Sequence, residues 1–186
     1  MKITKLSTVS LIALLTLGFF TSSCDSVKDI LKFNLPEQTI EVEFDIPPTN
    51  TGDMSLADFN VRLDMDSLIK ANASNFSANN IQTLKITGVR VEASNTEENG
   101  DHFGALQSAK AELSSNNNST MVTIAELTNN PETYAASLVL PVKDVELKDY
   151  FKATSFTYKL SGYVRTSLKT TLHCKAYIKF DGKLSL

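Results

Sequence analysis

The chain contains few of the residues that usually carry catalysis or covalent stabilisation. Its 186 residues include no tryptophan, two cysteines and two histidines. Without tryptophan, a common stacking platform for sugars is missing. The sequence also lacks a nucleophile-elbow serine motif, a zinc-binding histidine pair, a paired-cysteine motif and a glycine-rich phosphate loop. We therefore expect a protein that is not an enzyme and that binds no cofactor and no metal.

The main uncharged apolar run is too short to span a membrane. Residues 9–20 follow Lys2 and Lys5 and lead into a small-residue segment that ends at Cys24. Twelve helical residues cover about 18 Å, whereas the hydrocarbon core of a bilayer is roughly 30 Å thick. A positive start, an apolar middle and a small-residue end are typical of a secretory signal peptide. A plain N-terminal anchor helix is the alternative.

The end of this segment resembles the lipobox of bacterial lipoproteins. Ser22 and Ser23 directly precede Cys24, although Thr21 stands where most lipoboxes have leucine, valine or isoleucine. The resemblance implies type II cleavage between Ser23 and Cys24, a thioether-linked diacylglycerol and a further acyl chain, such as palmitate, on the amino group. A cysteine that merely follows an ordinary signal peptide is the alternative.

The lipobox resemblance also predicts where the protein works and what it contacts. Two or three fatty chains make dissociation from a bilayer negligible, so we expect a lipid-anchored protein of the cell envelope. Asp25 does not by itself select the inner or the outer membrane, and we expect the outer one. The expected partners are membrane lipid through acylated Cys24 and an envelope glycan or another envelope protein. We expect no nucleic-acid partner for this chain, whose formal charge is −3.

Two tripeptides match the Asp-Ser-aliphatic pattern that is glycosylated in Bacteroidota, and the chain resembles envelope lipoproteins of that group. The candidate glycosylation sites are Ser26 and Ser67. Three-residue patterns recur by chance, however. Asp64 or Asp66 is better explained as the N-cap of a short helix, and we prefer that interpretation.

The sequence predicts one folded domain after the lipidated cysteine. Residues 1–23 form the signal peptide, residues 24–36 the lipidated N-terminus and tether, and residues 37–186 the domain. The 163 residues that remain after cleavage are enough for one hydrophobic core. Once Cys24 is acylated, Cys174 is the only thiol, so no intrachain disulfide can form. Because Cys174 shares the apolar side of its strand, we expect it to be buried and unreactive.

Alternating apolar and polar residues predict an all-β fold. Ile40, Val42 and Phe44 alternate with acidic residues, which is the pattern of a half-buried antiparallel strand. A change of parity at Gly88 predicts a β-bulge. We expect an antiparallel β-sandwich of about eight strands with two short helices, because no full-length crossover helix joins any strand pair. The expected strands cover residues 37–46, 59–65, 81–93, 106–113, 120–127, 136–142, 156–160 and 172–180, and the helices residues 66–71 and 145–152.

Charge is distributed unevenly along the chain. Residues 152–186 carry seven basic residues and one acidic residue, whereas residues 24–151 have a net charge of −11. Several basic and tyrosine side chains near the C-terminus share the outward parity of their strands. They form a candidate ligand face for lipopolysaccharide phosphates or acidic glycans. Its members are Lys159, Tyr163, His173, Lys175, Tyr177 and Lys179.

The alternative for this basic segment is pairing with the acidic first strand. Opposite charges on neighbouring strands stabilise each other modestly, and we prefer this interpretation. It predicts that the first and last strands are neighbours and that Glu43 lies near Lys175 or Lys179. If the two strands lay in different sheets, the free basic face would be the better interpretation.

The remaining polar candidates are weak. We expect His102 and His173 to be surface residues rather than general bases. Glu97, Glu98 and Asp101 have the charge to hold a calcium ion, but their spacing lacks the alternating oxygen ligands of a calcium-binding loop. A solvated acidic turn is the preferred interpretation.

Overall fold

Eight β-strands make up most of the described chain. The computed structural model describes residues 32–98 and 100–186. The strands are β1 (Lys32–Ile46), β2 (Gly52–Arg62), β3 (Ile81–Ala93), β4 (Ala109–Ser115), β5 (Val122–Leu127), β6 (Ser137–Leu140), β7 (Ser155–Val164) and β8 (Leu172–Ser185). The helices are α1 (Met65–Asn72) and α2 (Lys148–Phe151), and two 3-10 turns lie at Ala78–Asn80 and Phe103–Ala105.

The strands form two antiparallel four-stranded sheets. The first sheet has the order β1-β8-β3-β6 and the second the order β2-β7-β4-β5. The chain crosses between the two sheets at every connection except the one between β4 and β5, which is the interleaved order of an eight-stranded jelly roll. The predicted antiparallel β-sandwich with two short helices is confirmed.

The hydrophobic core lies between the two sheets. Phe156 from the second sheet and Phe180 from the first are fully buried. Phe151 of α2 contacts both, with ring centroids 4.8 Å and 5.3 Å away. Such aromatic contacts contribute beyond the area that they bury. The one-turn helix α2 thus inserts a side chain that both sheets share.

The first strand begins earlier than the sequence predicts. β1 starts at Lys32, five residues before the expected start at Glu37, and the compact unit covers Phe33–Leu186. Leu35 is part of the core, with only 2% of its surface exposed. Pro36 lies within the strand, although proline, which has no backbone N–H, usually ends a secondary-structure element. Because β1 is an outer strand of its sheet, one side of its backbone has no neighbouring strand. A proline whose missing N–H would point to that side removes no hydrogen bond of the sheet.

The bulge predicted at Gly88 is confirmed. β3 has the predicted bounds, and its register with β8 shifts between Ile86 and Gly88. One of the further register shifts, between Ser55 and Ala57, lies in β2, which starts at Gly52 rather than at the predicted residue 59. The first residues of β2 are largely polar and show no clear alternation with apolar residues. The sequence pattern therefore does not predict this part of the strand, which lies at the edge of its sheet.

The N-cap predicted for the first helix is also confirmed. Asp64 accepts hydrogen bonds from the Ser67 amide at 3.0 Å and from the Ser67 hydroxyl at 2.6 Å. Asp66 accepts a hydrogen bond from the Ala78 amide at 2.6 Å, which ties α1 to the following 3-10 turn. The Asp-Ser pair therefore has a structural role here.

The two sheets are joined along one side by main-chain hydrogen bonds. The amide of Glu126 donates to the carbonyl of Pro141 at 2.9 Å, and the amide of Lys143 donates to that of Ile124 at 2.8 Å. These bonds connect β5 of the second sheet to the segment that directly follows β6 of the first. Within residues 32–98 and 100–186, no helix is long and apolar enough to cross a bilayer.

Candidate functional site

Ion pairs connect the outer faces of β1 and β8. The two strands are neighbours in the first sheet, so the predicted adjacency of the first and last strands is confirmed. The expected partner was Glu43, but Glu43 acts on Lys175 only through weaker Coulomb attraction. The observed pairs are Glu41 with Lys175 (2.5 Å), Glu37 with Lys179 (2.8 Å) and Asp45 with His173 (2.8 Å).

Two of these pairs shift the pKa of one member in the direction that favours its charged form. Hydrogen bonds from Lys179 and Thr87 hold the pKa of Glu37 below its usual value. The hydrogen bond to Glu41 raises the pKa of Lys175. Because the side chains are well exposed to solvent, each pair contributes little to stability. Their main effect is to neutralise Lys175 and Lys179 on β8.

Tyr177 is already engaged by its neighbours. The Arg90 guanidinium lies 4.4 Å from the centroid of the tyrosine ring, and Lys175 Nζ lies 5.5 Å from it. The hydroxyl is hydrogen-bonded to Glu92, and this bond, followed by desolvation, raises the pKa of Tyr177. Two cations near one ring are a favourable arrangement.

The candidate ligand face is divided between the two sheets, which corrects the prediction of one surface. Lys159 and Tyr163 lie on β7 in the second sheet, whereas the other four members lie on β8 in the first. Lys159 stands opposite Asp58 on β2 and Glu112 on β4. The prediction failed because β7 and β8, although consecutive, are joined across the sandwich rather than by a hairpin.

A broad groove of about 760 Å³ lies on the first sheet near the start of β8. Three carboxylates, from Glu43, Asp45 and Glu92, line it together with His173 and Lys175. The volume is typical of small-molecule sites, but the carboxylates outnumber the permanent cation. The groove is therefore poorly suited to an anionic ligand, contrary to the function expected for a basic face.

Neither histidine is placed as a general base toward a nucleophile in the described part of the chain. His102 Nδ1 accepts a hydrogen bond from the Gly104 amide at 2.9 Å and so caps a 3-10 turn. The His173 ring faces Asp45, while the nearby Ser94 hydroxyl donates to the His173 carbonyl rather than to the ring. Both histidines have structural contacts, and His173 is largely exposed.

Cys174 is a core residue, as predicted. Only 4% of its surface is exposed, and its Sγ donates to the Leu172 carbonyl at 3.5 Å. Burial, with a smaller contribution from the charge of Asp45, raises the pKa of the Cys174 thiol to about 12. A thiol with so little thiolate at neutral pH is a poor nucleophile and a poor metal ligand.

The predicted acidic turn fastens two loops together. The Asp101 carboxylate accepts hydrogen bonds from the Lys169 amide at 2.8 Å, from the Thr170 amide at 2.5 Å and from the Thr170 hydroxyl at 2.7 Å. Burial alone would raise the pKa of Asp101, but these bonds outweigh burial and lower it. Across residues 32–98 and 100–186, no group of three or more histidine, cysteine and acidic side chains is arranged to hold a metal ion.

Tyr158 is the polar group that the sequence did not single out. Its hydroxyl has no hydrogen-bond partner among the described residues. The residue is 2% exposed, and burial raises the pKa of its hydroxyl far above the usual value. Tyr158 shares the inward parity of Phe156 and Leu160, so periodicity marks it only as a core residue.

The predicted cleavage site at Ser23 and Cys24 and the candidate Ser26 lie outside the described residues.

Comparison with known proteins gives little further information. No protein-family model and no curated sequence matches the chain. Among solved structures, a chain of the infectious bursal disease virus Gt strain aligns at 10% identity and a TM-score of 0.33. The alignment covers 83% of the present chain but only 33% of the viral chain. The decameric BFDV capsid protein aligns at 12% identity and a TM-score of 0.31, covering 81% of this chain and 99% of that one. Both TM-scores are below 0.5, so the jelly-roll assignment depends on the strand order alone.

Proposed function

We propose that the protein is a lipid-anchored lipoprotein of the cell envelope whose jelly-roll domain serves as a non-catalytic structural or interaction module. The observation that carries the proposal is the N-terminal sequence. Two lysines, a twelve-residue apolar stretch and a small-residue segment precede Cys24 in the order that lipoprotein export and acylation require.

The distance between the lipidated cysteine and the sandwich supports this proposal. Eight peptide units separate Cys24 from Lys32, where β1 begins. Even fully extended, they span at most about 29 Å. Acylation at Cys24 would therefore keep the start of β1 within a few tens of ångströms of the bilayer. Such a domain acts on lipid, glycan or protein at the membrane surface.

The contacts of the basic residues favour a structural or interaction role over capture of an anionic ligand. Lys175 and Lys179 are neutralised by acidic residues of β1. Lys159 and Tyr163, which were expected to complete the ligand face, belong to the other sheet. A glycan-binding function through that face would require these ion pairs to open and would use only part of the predicted surface.

Metabolic labelling with an alkyne analogue of palmitate tests the proposal on the full chain, expressed in a bacterium that processes lipoproteins. We expect the wild-type protein to carry the label and to sediment with membranes in the absence of detergent. Cys24→Ala should lose the label. Cys174→Ala is the matched control, because it removes the other cysteine and should keep the label.

Two results would contradict the lipid anchor. One is a wild-type protein without acyl mass on its N-terminal peptide, and the other is a Cys24→Ala variant that remains labelled. If the acylated protein is released from membranes by a salt wash alone, the anchoring function is also wrong.

A further inference from the structure

A groove of about 430 Å³ crosses the outer face of the second sheet. All four strands of that sheet contribute to its lining or lie directly beside it, and most of the lining side chains are polar. Its volume lies within the range of small-molecule sites, roughly 300–1,000 Å³. The groove is therefore large enough to hold a small polar ligand without any rearrangement of the sheet.

The strand register explains why a groove forms at this place. Ser55 on β2, Ser161 on β7 and Lys110 on β4 are direct cross-strand neighbours. Along β7, the outward-facing positions before and after Ser161 carry the much larger side chains of Lys159 and Tyr163. Because a strand rises about 3.3 Å per residue, these two positions lie about 13 Å apart. The short serine side chains thus form a floor between two taller sides.

Several polar groups of this groove are not used within the protein. Four of its side chains make no hydrogen bond or ion pair with any described residue, namely Asp53, Ser55, Lys159 and Ser161. Glu112, which stands opposite Lys159, pairs with Lys110 at 3.0 Å instead. In the groove of the first sheet, by contrast, Asp45 and Lys175 already have ion-pair partners. The second sheet therefore presents the more available set of hydrogen-bonding groups.

The charges that line the groove cancel. Lys110 and Lys159 are balanced by Asp53 and Glu126. An ammonium group donates hydrogen bonds, a carboxylate accepts them, and a serine hydroxyl does both. A neutral molecule with several hydroxyls matches this set, because each hydroxyl can donate to one group and accept from another. A ligand of either charge gains no net attraction from such a surface.

Tyr163 adds an exposed aromatic ring beside these polar groups. The residue is 41% exposed, and it follows Ser161 on the same face of β7. Its amide donates to the Ser108 hydroxyl at 3.2 Å, and its carbonyl accepts a hydrogen bond from the Gln107 amide at 2.8 Å. These bonds hold the backbone of Tyr163 in place at the side of the groove. An aromatic ring next to polar groups suits a ligand that is apolar on one face and hydroxylated around its edge.

We propose that this groove binds one neutral hexose or N-acetylhexosamine unit of a glycan. The sugar ring packs against Tyr163, and its hydroxyls form hydrogen bonds with Asp53, Lys159 and Ser161. The site differs from the basic face expected from the sequence, because it lies on the second sheet alone and takes an uncharged ligand. The inference does not depend on the lipid anchor.

Saturation-transfer difference ¹H NMR tests the proposal on the full chain in a polyoxyethylene detergent, which contains no sugar. The probes are hexasaccharides of glucose, mannose, galactose and N-acetylglucosamine, with the hexasaccharide of galacturonic acid as the charged comparison. We expect transfer to at least one neutral probe and a weaker or absent signal for the charged one. The affinity for the neutral probe should be the same at about 0.05 M and about 0.5 M salt, because an uncharged ligand forms no ion pair that salt could screen.

Variants of the groove locate the binding. Tyr163→Ala should weaken binding of the neutral probe by about five- to tenfold, because the packing of the sugar on the ring is lost. Tyr177→Ala, the same substitution on the outer face of the first sheet, is the matched control and should leave binding unchanged. Ser161→Leu fills the floor of the groove and should abolish binding. Lys159→Gln, which should weaken it about two- to tenfold, keeps the test valid if Ser161→Leu does not fold.

Three results would overturn the proposal. The first is that no neutral probe binds the wild type, or that the charged probe alone binds. The second is that a folded Ser161→Leu protein binds as well as the wild type, or that Lys159→Gln has no effect. The third is that Tyr177→Ala weakens binding as much as Tyr163→Ala does, which would place the ligand elsewhere.

Discussion

The carboxylate of Glu41 lies 2.5 Å from the Nζ of Lys175, although the two residues are 134 positions apart in the chain. Their contact places the acidic first strand beside the basic last strand. Lys175 and Lys179, two of the basic residues that in the sequence suggested a ligand surface, are thus paired with acidic residues of β1 within the first sheet.

A double-mutant cycle on this pair should show weak, salt-dependent coupling. Glu41→Gln and Lys175→Gln each remove one charge, and both side chains are exposed to solvent, at 51% and 37%. Screening in water therefore limits the interaction. We expect a small coupling free energy in urea unfolding at low salt and none at 1 M salt. A large coupling that persists at high salt would contradict this account.

Tyr158→Phe should leave the protein as stable as the wild type or more stable, by up to about 1 kcal/mol. The substitution removes a buried hydroxyl that has no partner among the described residues. The measurement is the free energy of unfolding in urea. Tyr150→Phe is the control, because its hydroxyl donates to the Thr120 carbonyl at 3.1 Å and its loss should be destabilising. A clear loss of stability in Tyr158→Phe would mean that its hydroxyl is bonded.

Gly162→Ala should destabilise the fold by about 1–3 kcal/mol, as overpacking does. A β-carbon at this position would lie 2.2 Å from the Ser108 carbonyl oxygen, which is part of the backbone and cannot move aside easily. At Gly88, by contrast, the nearest atom is the Lys179 Cδ at 3.3 Å, on a flexible side chain. Gly88→Ala should therefore cost less than Gly162→Ala in thermal unfolding. Equal losses would argue against the close approach at Gly162.

Acid should weaken the loop connection made by Asp101. Because the pKa of this carboxyl is lower in the folded protein than its usual 3.8, the ionised group contributes stability above about pH 4. That contribution is lost as the pH falls through the folded-state pKa. Asp101→Asn should be less stable at pH 7 and should lose stability less steeply between pH 5 and pH 3, as measured by urea unfolding. Parallel pH profiles for the two proteins would contradict this role.

Local patterns predict a strand well where one of its faces is apolar and the other is polar. β3 was predicted with its observed bounds, because apolar residues alternate on both sides of Gly88. The start of β1 was missed because Pro36 usually ends an element. A proline is tolerated within β1 because β1 is an outer strand. That position results from the pairing of β1 with β8 at the far end of the chain.

The candidate ligand face also shows that local alternation cannot reveal which strands are neighbours. Alternation correctly placed Lys175 and Lys179 on the outer face of β8. Alternation could not show that β7, which is separated from β8 by only seven residues, belongs to the other sheet. Sheet membership depends on contacts between distant segments, which a local pattern does not contain. For the same reason, the sequence could not show that the buried hydroxyl of Tyr158 has no hydrogen-bond partner among the described residues.

The hydrogen bonds that join β5 to the segment after β6 also constrain how the sandwich can deform. With these bonds intact, any separation of the sheets is a rotation about that side. The displacement is then greatest at the opposite side, where Phe44 and Phe59 lie on the outer strands. The connectivity of the backbone, rather than the size of any one side chain, thus determines which side of the sandwich opens most easily.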